Sequence, residues 1–172
     1  MIFVTVGGQM PFNRLVKAVD RWADNNREIE CFAQIGPGGW RPKYMEWNEF
    51  LPPPVYRDKF EKADLVIAHA GIGTVLNALD LGKKLIVMPR RGYLNETRND
   101  HQYATVKRLE TRGLLYSVED EEQLFSRLAN SERIMPLQYS SPYASSQLID
   151  TIRSFISMPS SASRSREANE NR

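Results

Sequence analysis

Short apolar segments alternate along the chain with segments of helical periodicity, and this alternation most limits the folds available to it. Strand-like segments cover residues 2–6, 28–35, 44–51, 64–68, 84–88 and 113–118. Helical spacing of apolar residues begins at Pro11 and recurs at 74–81, 99–112, 120–130 and 148–156. Because several strands are apolar on both faces, the sequence predicts an α/β fold, a Rossmann-like parallel sheet with helices on both faces.

The alternating pattern predicts one domain over residues 1–158, followed by a disordered tail over 159–172. Of the 172 residues, 41% are hydrophobic, which is enough for a real core. The last segment carries no large apolar side chain and therefore cannot bury much surface. The run Pro52–Pro54 is expected to end the third strand, because proline cannot donate to a β-ladder.

Charge and cysteine content exclude several classes of protein. A formal net charge of +2 gives no overall signature of nucleic-acid binding. Cys31 is the only cysteine, so neither an internal disulfide nor a cysteine-based zinc cluster can form. The segment "MIFVTVGGQM" lacks the basic start of a signal peptide, and no segment approaches the about 18–20 apolar residues of a membrane span. We therefore expect a cytoplasmic protein.

Loops rich in glycine, proline and polar residues follow the predicted strands, at 7–10, 35–41, 69–73 and 89–98. In parallel sheets, ligands bind beyond the carboxyl ends of the strands, so these loops are the candidate site. The first loop, "VGGQMPF", matches neither G-x-G-x-x-G nor the P-loop pattern. Its glycines suit a backbone that approaches an anion, and a purely structural tight turn is the other interpretation.

The segment "HAGIGT" repeats this arrangement after the clearest buried strand. Gly71 and Gly73 open the turn, and Thr74 is predicted to cap the following helix. A pyrophosphate could lie on the N-terminus of that helix, with His69 reaching one of its oxygens. Alternatively, His69 hydrogen-bonds a neighbouring carbonyl and has no ligand.

The segment "PRRGYLNETRNDHQ" concentrates polar side chains after the next strand. Arg90, Arg91 and Arg98 could neutralise a phosphate or a sugar carboxylate, because a guanidinium matches the geometry of such anions. Residues 99–102 could bind sugar hydroxyls at the start of a helix. The other interpretation is a solvated loop in which Asn99 or Asp100 is an ordinary cap, with Arg91 as a surface charge.

Taken in order, these segments resemble the C-terminal domain of glycosyltransferase family 28. The resemblance rests on "VTVGGQMPFNRL", "QIGPG", "ADLVIAHAGIGTVLNAL", "GKKLIVMPR" and "NDHQ", and covers residues 2 to 116. Stand-alone domains of this family include the small catalytic subunit of the eukaryotic dolichol-linked N-acetylglucosaminyltransferase and bacterial exopolysaccharide glucuronosyltransferase subunits of the PssE type. The segment from Pro89 to Gln102 is most similar to the exopolysaccharide branch.

The resemblance implies a single half of a GT-B glycosyltransferase that binds a UDP-sugar. It places Gly7, Gly8 and Gln9 near the phosphates, and Gln34, Ile35 and Gly36 near the nucleoside. It places Ala70, Gly71, Gly73 and Thr74 against the diphosphate, with His69 beside them. It assigns the transferred sugar to Glu96, Asp100, His101 and Gln102. Asn77 stands where the family often has a ribose-binding glutamate, which makes that contact uncertain.

The implied activity is an inverting, UDP-sugar-dependent hexosyl transfer to a polyprenyl-diphosphate-linked saccharide in exopolysaccharide or capsule synthesis. The arginines near position 90 favour glucuronic acid as the sugar, with N-acetylglucosamine and galactose as alternatives. Tentative catalytic residues are His69 and His101. No Asp-x-Asp motif occurs, so we expect no metal, and UDP-sugar is a substrate rather than a cofactor.

A membrane-anchored subunit is expected to bring the lipid-linked acceptor, which would hold this chain at the inner face of the plasma membrane. No nucleic acid is expected as a partner. A non-catalytic nucleotide-sugar-binding regulatory subunit is a second hypothesis. A nicotinamide-dependent oxidoreductase is a third, disfavoured by the missing G-x-G-x-x-G motif.

Overall fold

The computed structural model describes residues 1–97, 101–111, 115–137 and 146–157. The chain divides into two compact units, Met1–Gln138 and Tyr139–Arg172. The tail predicted to be disordered, 159–172, lies outside the described residues, so its disorder stays a prediction. The predicted domain boundary at residue 158 also stays a prediction.

The first unit is built around one parallel sheet. Its six strands are β1 (Ile2–Thr5), β2 (Cys31–Gln34), β3 (Glu46–Asn48), β4 (Leu65–His69), β5 (Lys84–Met88) and β6 (Tyr116–Ser117), in the order β3-β2-β1-β4-β5-β6. The helices are α1 (Asn13–Asp24), α2 (Pro53–Lys62), α3 (Ile72–Asp80), α4 (His101–Thr111) and α5 (Glu121–Ala129), and α6 (Ser146–Ser157) lies in the second unit. The predicted Rossmann-like α/β fold is therefore confirmed.

The alternation of side chains along the strands creates a hydrophobic core on each face of the sheet. On one face, Val4 packs with residues of α1 and α5, such as Leu15 and Leu124. On the other, Phe3 packs with residues of α2, α3 and α4, such as Phe60, Val75, Ala78 and Val106. Residues 2–5 are all buried, which explains why β1 is continuously apolar or small.

Helix α2 was not predicted from the sequence. The proline run was expected to stop a strand, but prolines fit the first turn of a helix, where the amide has no intrahelical partner. Among the residues of α2, only Phe60 is buried, so the apolar periodicity that reveals the other helices is weak here. The third strand is correspondingly shorter than the predicted 44–51.

Helix α3 also begins earlier than predicted, at Ile72. Gly71 is its N-cap and no side chain caps it, so the prediction that Thr74 is the cap is wrong. Thr74 lies inside the first turn and is buried. The predicted stop at Gly82 is confirmed, because this residue follows the C-cap Leu81 with a φ of +57°.

None of the described helices is both long enough and apolar enough to span a membrane.

Candidate functional site

A small cavity lies at the carboxyl ends of β1, β4 and β5, where the sequence predicted a site. Its volume is about 130 Å³, and its lining comes from the β1 loop (residues 6–12), the end of β4, the β5 loop (residues 89–97) and the start of α4. The lining residues are Val6, Gly7, Gly8, Gln9, Met10, His69, Arg90, Glu96, Thr97 and Gln102. Seven residues predicted to bind the donor or to act in catalysis therefore share one cavity.

His69 lies between the two glycine turns and explains one glycine in each. A Cβ added to Gly7 would lie 2.8 Å from Cε1 of His69, and one added to Gly71 would overlap the same ring at Nε2. Gly7 also has a φ of +81°, which L side chains rarely adopt. Both glycines are thus required by the fold itself, whether or not a ligand is bound.

The imidazole of His69 is in an environment that disfavours its charged form. Burial, followed by the nearby Arg90 guanidinium, lowers the pKa of His69 to about 4, and the backbone of Thr5 opposes the shift. Its Nδ1 atom is buried and has no hydrogen-bond partner among the described residues. At neutral pH the ring is therefore neutral, so it cannot offer a phosphate a positive charge and is a weak general base.

The other glycine in each turn faces open space. A Cβ added to Gly8 or Gly73 would meet nothing within 4 Å. Within the described residues, no hydrogen bond engages the amides of Gly8 and Gln9. The first amides of α3 are also without a side-chain cap. Two sets of backbone donors are thus open at the neighbouring ends of β1 and β4, an arrangement that attracts anions.

Arg90 is almost fully buried, with an exposure of 5%, and its guanidinium contacts the protein's own backbone. It donates to the carbonyl oxygens of Val6 at 2.8 Å, Met10 at 2.7 Å, Pro11 at 2.8 Å and Glu96 at 3.0 Å. Both terminal nitrogens are therefore engaged. The prediction that Arg90 binds the donor is untested, but these bonds show that it joins the β1 loop to the β5 loop.

Glu96 is paired with an arginine that sequence reasoning missed. Arg14 donates to both carboxylate oxygens of Glu96, at 2.8 and 2.9 Å, and the Arg91 amide donates to the same group at 3.0 Å. Arg14 also donates to the carbonyls of Pro89 and Glu119. A sugar contact by Glu96, as predicted, would have to compete with these bonds. Arg14 lies in a quoted motif, but no local signal points to a partner 82 residues away.

The predicted nucleoside contacts lie beside the cavity rather than in its lining. Gln34 is buried; its amide nitrogen donates to the Gly7 carbonyl at 3.3 Å, and its oxygen accepts from the Leu51 amide at 3.1 Å. Ile35 is fully buried in the core. Gly36 has a φ of +78°, which the turn after β2 requires. These residues support the β1 loop from the side of β2.

The remaining predicted residues are distributed around the cavity. Gln102 lines it, and its side-chain oxygen accepts from the Arg90 amide at 3.2 Å. Asn77 is exposed and lines a separate groove of about 260 Å³ between α2 and α3. Ala70 is buried beside Gly71. Asp100 lies outside the described residues, and the side chain of His101 is not described, so both roles stay predictions.

Within the described ranges, no group of three or more histidine, cysteine, aspartate or glutamate side chains could hold a metal ion.

Comparison with known proteins identifies a family and one group of named relatives. The model of the glycosyltransferase family 28 C-terminal domain matches residues 1–144. The human UDP-N-acetylglucosamine transferase subunit ALG13 is 36% identical over 128 residues, which are 67% of this chain and 11% of the human protein. Across four relatives of that name, the match spans between 7% and 51% of their length.

Two solved structures share the fold. The NMR structure of ALG13 has a TM-score of 0.57 and 21% identity, covering 88% of this chain and 93% of that one. The kitacinnamycin glycotransferase has a TM-score of 0.53 and 17% identity, covering 75% of this chain and 34% of that one. Since the family model covers the whole of the first compact unit and extends beyond it, the chain belongs to the family of glycosyltransferase family 28 C-terminal domains.

Proposed function

We propose that this chain is the donor-binding subunit of a two-component glycosyltransferase and that its donor is UDP-N-acetylglucosamine. Membership of glycosyltransferase family 28 supports the class of reaction. The name of the human relative, a UDP-N-acetylglucosamine transferase subunit, supports both the donor and the need for a second subunit.

The observation that carries the proposal is the pair of open amide sets at the ends of β1 and β4. Gly8 and Gly73 leave room for a ligand to approach the backbone closely. A diphosphate is long enough to contact both a loop amide and a helix N-terminus, and its negative charge suits each of them. The two turns thus form a cradle for the diphosphate of a sugar nucleotide.

The donor preference differs from the one that the sequence suggested. Glucuronic acid was favoured because of the arginines near position 90. Arg90 donates to four backbone carbonyls, and Arg91 donates to the Tyr93 hydroxyl and the Glu119 carbonyl. Arg98 lies outside the described residues. Because the described arginines of the β5 loop are engaged internally, a neutral sugar such as N-acetylglucosamine fits better than a carboxylate.

The transfer would proceed with inversion at the anomeric carbon. A base removes the proton of the acceptor hydroxyl, the oxygen attacks the anomeric carbon, and the bond from that carbon to the UDP oxygen breaks. Negative charge then develops on the diphosphate, where the open amides of the two turns stabilise it. The lowered pKa of His69 makes this residue a poor base. We therefore assign the base to His101 or to the partner subunit.

The acceptor would be a lipid-linked saccharide held by a membrane-anchored partner. That partner would complete the cleft opposite the strand ends and keep this chain at the cytoplasmic face of a membrane. The name of the human relative, a transferase subunit, supports the need for a partner. The lipid-linked acceptor and the membrane anchor rest on the family resemblance alone.

Calorimetry with UDP, UDP-N-acetylglucosamine, UDP-glucuronate and UDP-galactose tests the donor. We expect UDP and UDP-N-acetylglucosamine to bind, UDP-glucuronate to bind more weakly, and the NMR signals of the Gly8, Gln9 and Gly73 amides to shift. Failure of every uridine nucleotide to bind would refute the proposal. Sugar transfer to a lipid-linked acceptor should appear only with a partner subunit, whereas binding without turnover under every pairing favours a regulatory subunit.

A further inference from the structure

One buried guanidinium holds most of the β1 loop in place. We infer that Arg90 is a positioning residue for donor binding, because it sets the backbone conformation in which Gly8 and Gln9 line the cavity with amides that no described residue engages. The donor-binding consequence rests on the proposed function, whereas the conformational consequence does not.

The three loop carbonyls that accept from Arg90 flank the open amides. The Val6 carbonyl precedes Gly7, and the Met10 and Pro11 carbonyls follow Gln9. Because a carbonyl and the next amide share one rigid plane, fixing the Val6 oxygen also orients the Gly7 amide. That amide donates to the Thr5 hydroxyl at 3.3 Å. Arg90 therefore fixes both ends of the segment that carries the open donors.

Little else holds this segment. Within the described residues, no backbone–backbone hydrogen bond is donated by residues 7 to 10. Apart from the bonds from Arg90, the described residues make two hydrogen bonds to its backbone, both at Gly7 and both at 3.3 Å: Gln34 donates to the Gly7 carbonyl, and the Gly7 amide donates to the Thr5 hydroxyl. A loop held by side chains rather than by a ladder keeps its shape only while those side chains are present, and Arg90 supplies three of the bonds.

Arg90 is itself held firmly enough to act in this way. Its guanidinium lies 4.8 Å from the centroid of the Phe12 ring and donates to the Glu96 carbonyl. Its own amide donates to Gln102. The Arg14–Glu96 pair braces the same β5 loop against α1. The position of the guanidinium is therefore determined from several directions.

A lysine at position 90 cannot make all of the hydrogen bonds that Arg90 makes. An ammonium carries three donors on one atom, whereas the guanidinium places its donors on a planar fork that reaches four separated acceptors. Arg90→Lys should therefore keep part of the function and Arg90→Ala should lose it. Arg21 provides a matched control, since it is exposed and pairs with Glu121 at 2.9 Å, away from the cavity.

The test measures UDP affinity, the backbone ¹⁵N order parameters of the β1 loop and amide exchange in the strands, in Arg90→Ala, Arg90→Lys and Arg21→Ala. We expect Arg90→Ala to weaken UDP binding by about tenfold or more, equivalent to about 1.4 kcal/mol, with a smaller loss for Arg90→Lys and none for Arg21→Ala. The backbone ¹⁵N order parameters of residues 7–10 should fall in Arg90→Ala, while the amides of β1 and β4 stay protected from exchange. Added methylguanidinium should restore UDP affinity to Arg90→Ala, and methylammonium should not.

The outcomes separate this inference from the proposed function. Wild-type UDP affinity and unchanged order parameters at residues 7–10 in Arg90→Ala would overturn the inference. If Arg90→Ala does not fold, Arg90→Lys decides: lower order parameters at residues 7–10 alone support positioning, and unchanged values refute it. If the wild-type chain binds no uridine nucleotide, the proposed function fails, and the order parameters alone decide whether Arg90 shapes the loop.

Discussion

The glycine turns after β1 and β4 look alike in sequence, but different interactions hold them. After β1, Gly7 has a left-handed φ, and the loop depends on hydrogen bonds from Arg90 and Gln34. After β4, Gly71 is extended, with a φ of −87°, and leads directly into α3. The first turn is therefore shaped by distant side chains, and the second by the helix that follows it.

The two turns nevertheless share one division of roles. In each, one glycine packs against His69 and the other faces open space. The packed glycines, Gly7 and Gly71, serve the fold, whereas the open ones, Gly8 and Gly73, are free to serve a ligand. Substitutions at the two kinds of glycine should therefore affect stability and binding in opposite ways.

The largest effect should come from lowering the pH, because His69, which lies between the two turns, resists protonation in the folded chain. The pKa of His69 is about 4 in the folded chain against 6.5 in an unfolded one. The unfolded chain therefore takes up the proton first, and stability falls as the pH drops from 6.5 towards 4. The loss attributable to His69 is about 3 kcal/mol. Urea unfolding of wild type and His69→Asn across this range measures it as the difference between their pH profiles; parallel profiles would contradict it.

Adding a methyl group to a packed glycine should lower the free energy of unfolding by less than protonation of His69 does, but still substantially. Gly71→Ala would place its Cβ against the His69 ring, and we expect a loss of about 2 kcal/mol in the free energy of unfolding. In a His69→Ala background the same substitution should cost almost nothing, because the obstructing ring is gone. Denaturant unfolding of the four variants in this cycle checks the coupling. Additive effects would show that His69 is not the reason for the glycine.

The fold was predicted well because the apolar patterns that indicate strands and helices are local in the sequence. Alternating apolar segments revealed the strands of the sheet, and the rule for parallel sheets predicted a site at an edge where the structure has a cavity. The errors also have local causes. Pro52–Pro54 was interpreted as the end of a strand although α2 starts there, and Thr74 was taken as a cap although Gly71 occupies that position.

The site was less predictable because its roles depend on tertiary contacts. The sequence shows that residue 90 carries a charge, but not that four carbonyls accept its hydrogen bonds. The pairing of Arg14 with Glu96 joins positions 82 residues apart. Likewise, the sequence shows glycines at 7, 8, 71 and 73 without indicating which of them pack against His69.

A side chain at an open glycine should leave the fold intact but weaken the binding of UDP. Gly73 lies in the first turn of α3 without a positive φ, so Gly73→Ala should raise stability by up to about 1 kcal/mol through helix propensity. The same methyl group would stand where the diphosphate approaches, so UDP affinity should fall. Thermal unfolding and calorimetry on one sample separate the two effects. A variant that gains stability and binds UDP normally would place the diphosphate elsewhere.

The smallest effect should come from Asn77, which lies away from both turns in the groove between α2 and α3. If its amide contacts the ribose, Asn77→Ala removes one hydrogen bond worth about 1 kcal/mol, which is about fivefold in UDP affinity. Its stability should stay within about 0.5 kcal/mol of wild type, because the residue is exposed. Asp80→Ala, in the same groove one turn further along α3, is the control and should leave affinity unchanged. Equal affinities for both variants and wild type would confine donor binding to the two turns, because the nucleoside would then make no contact with the side of α3.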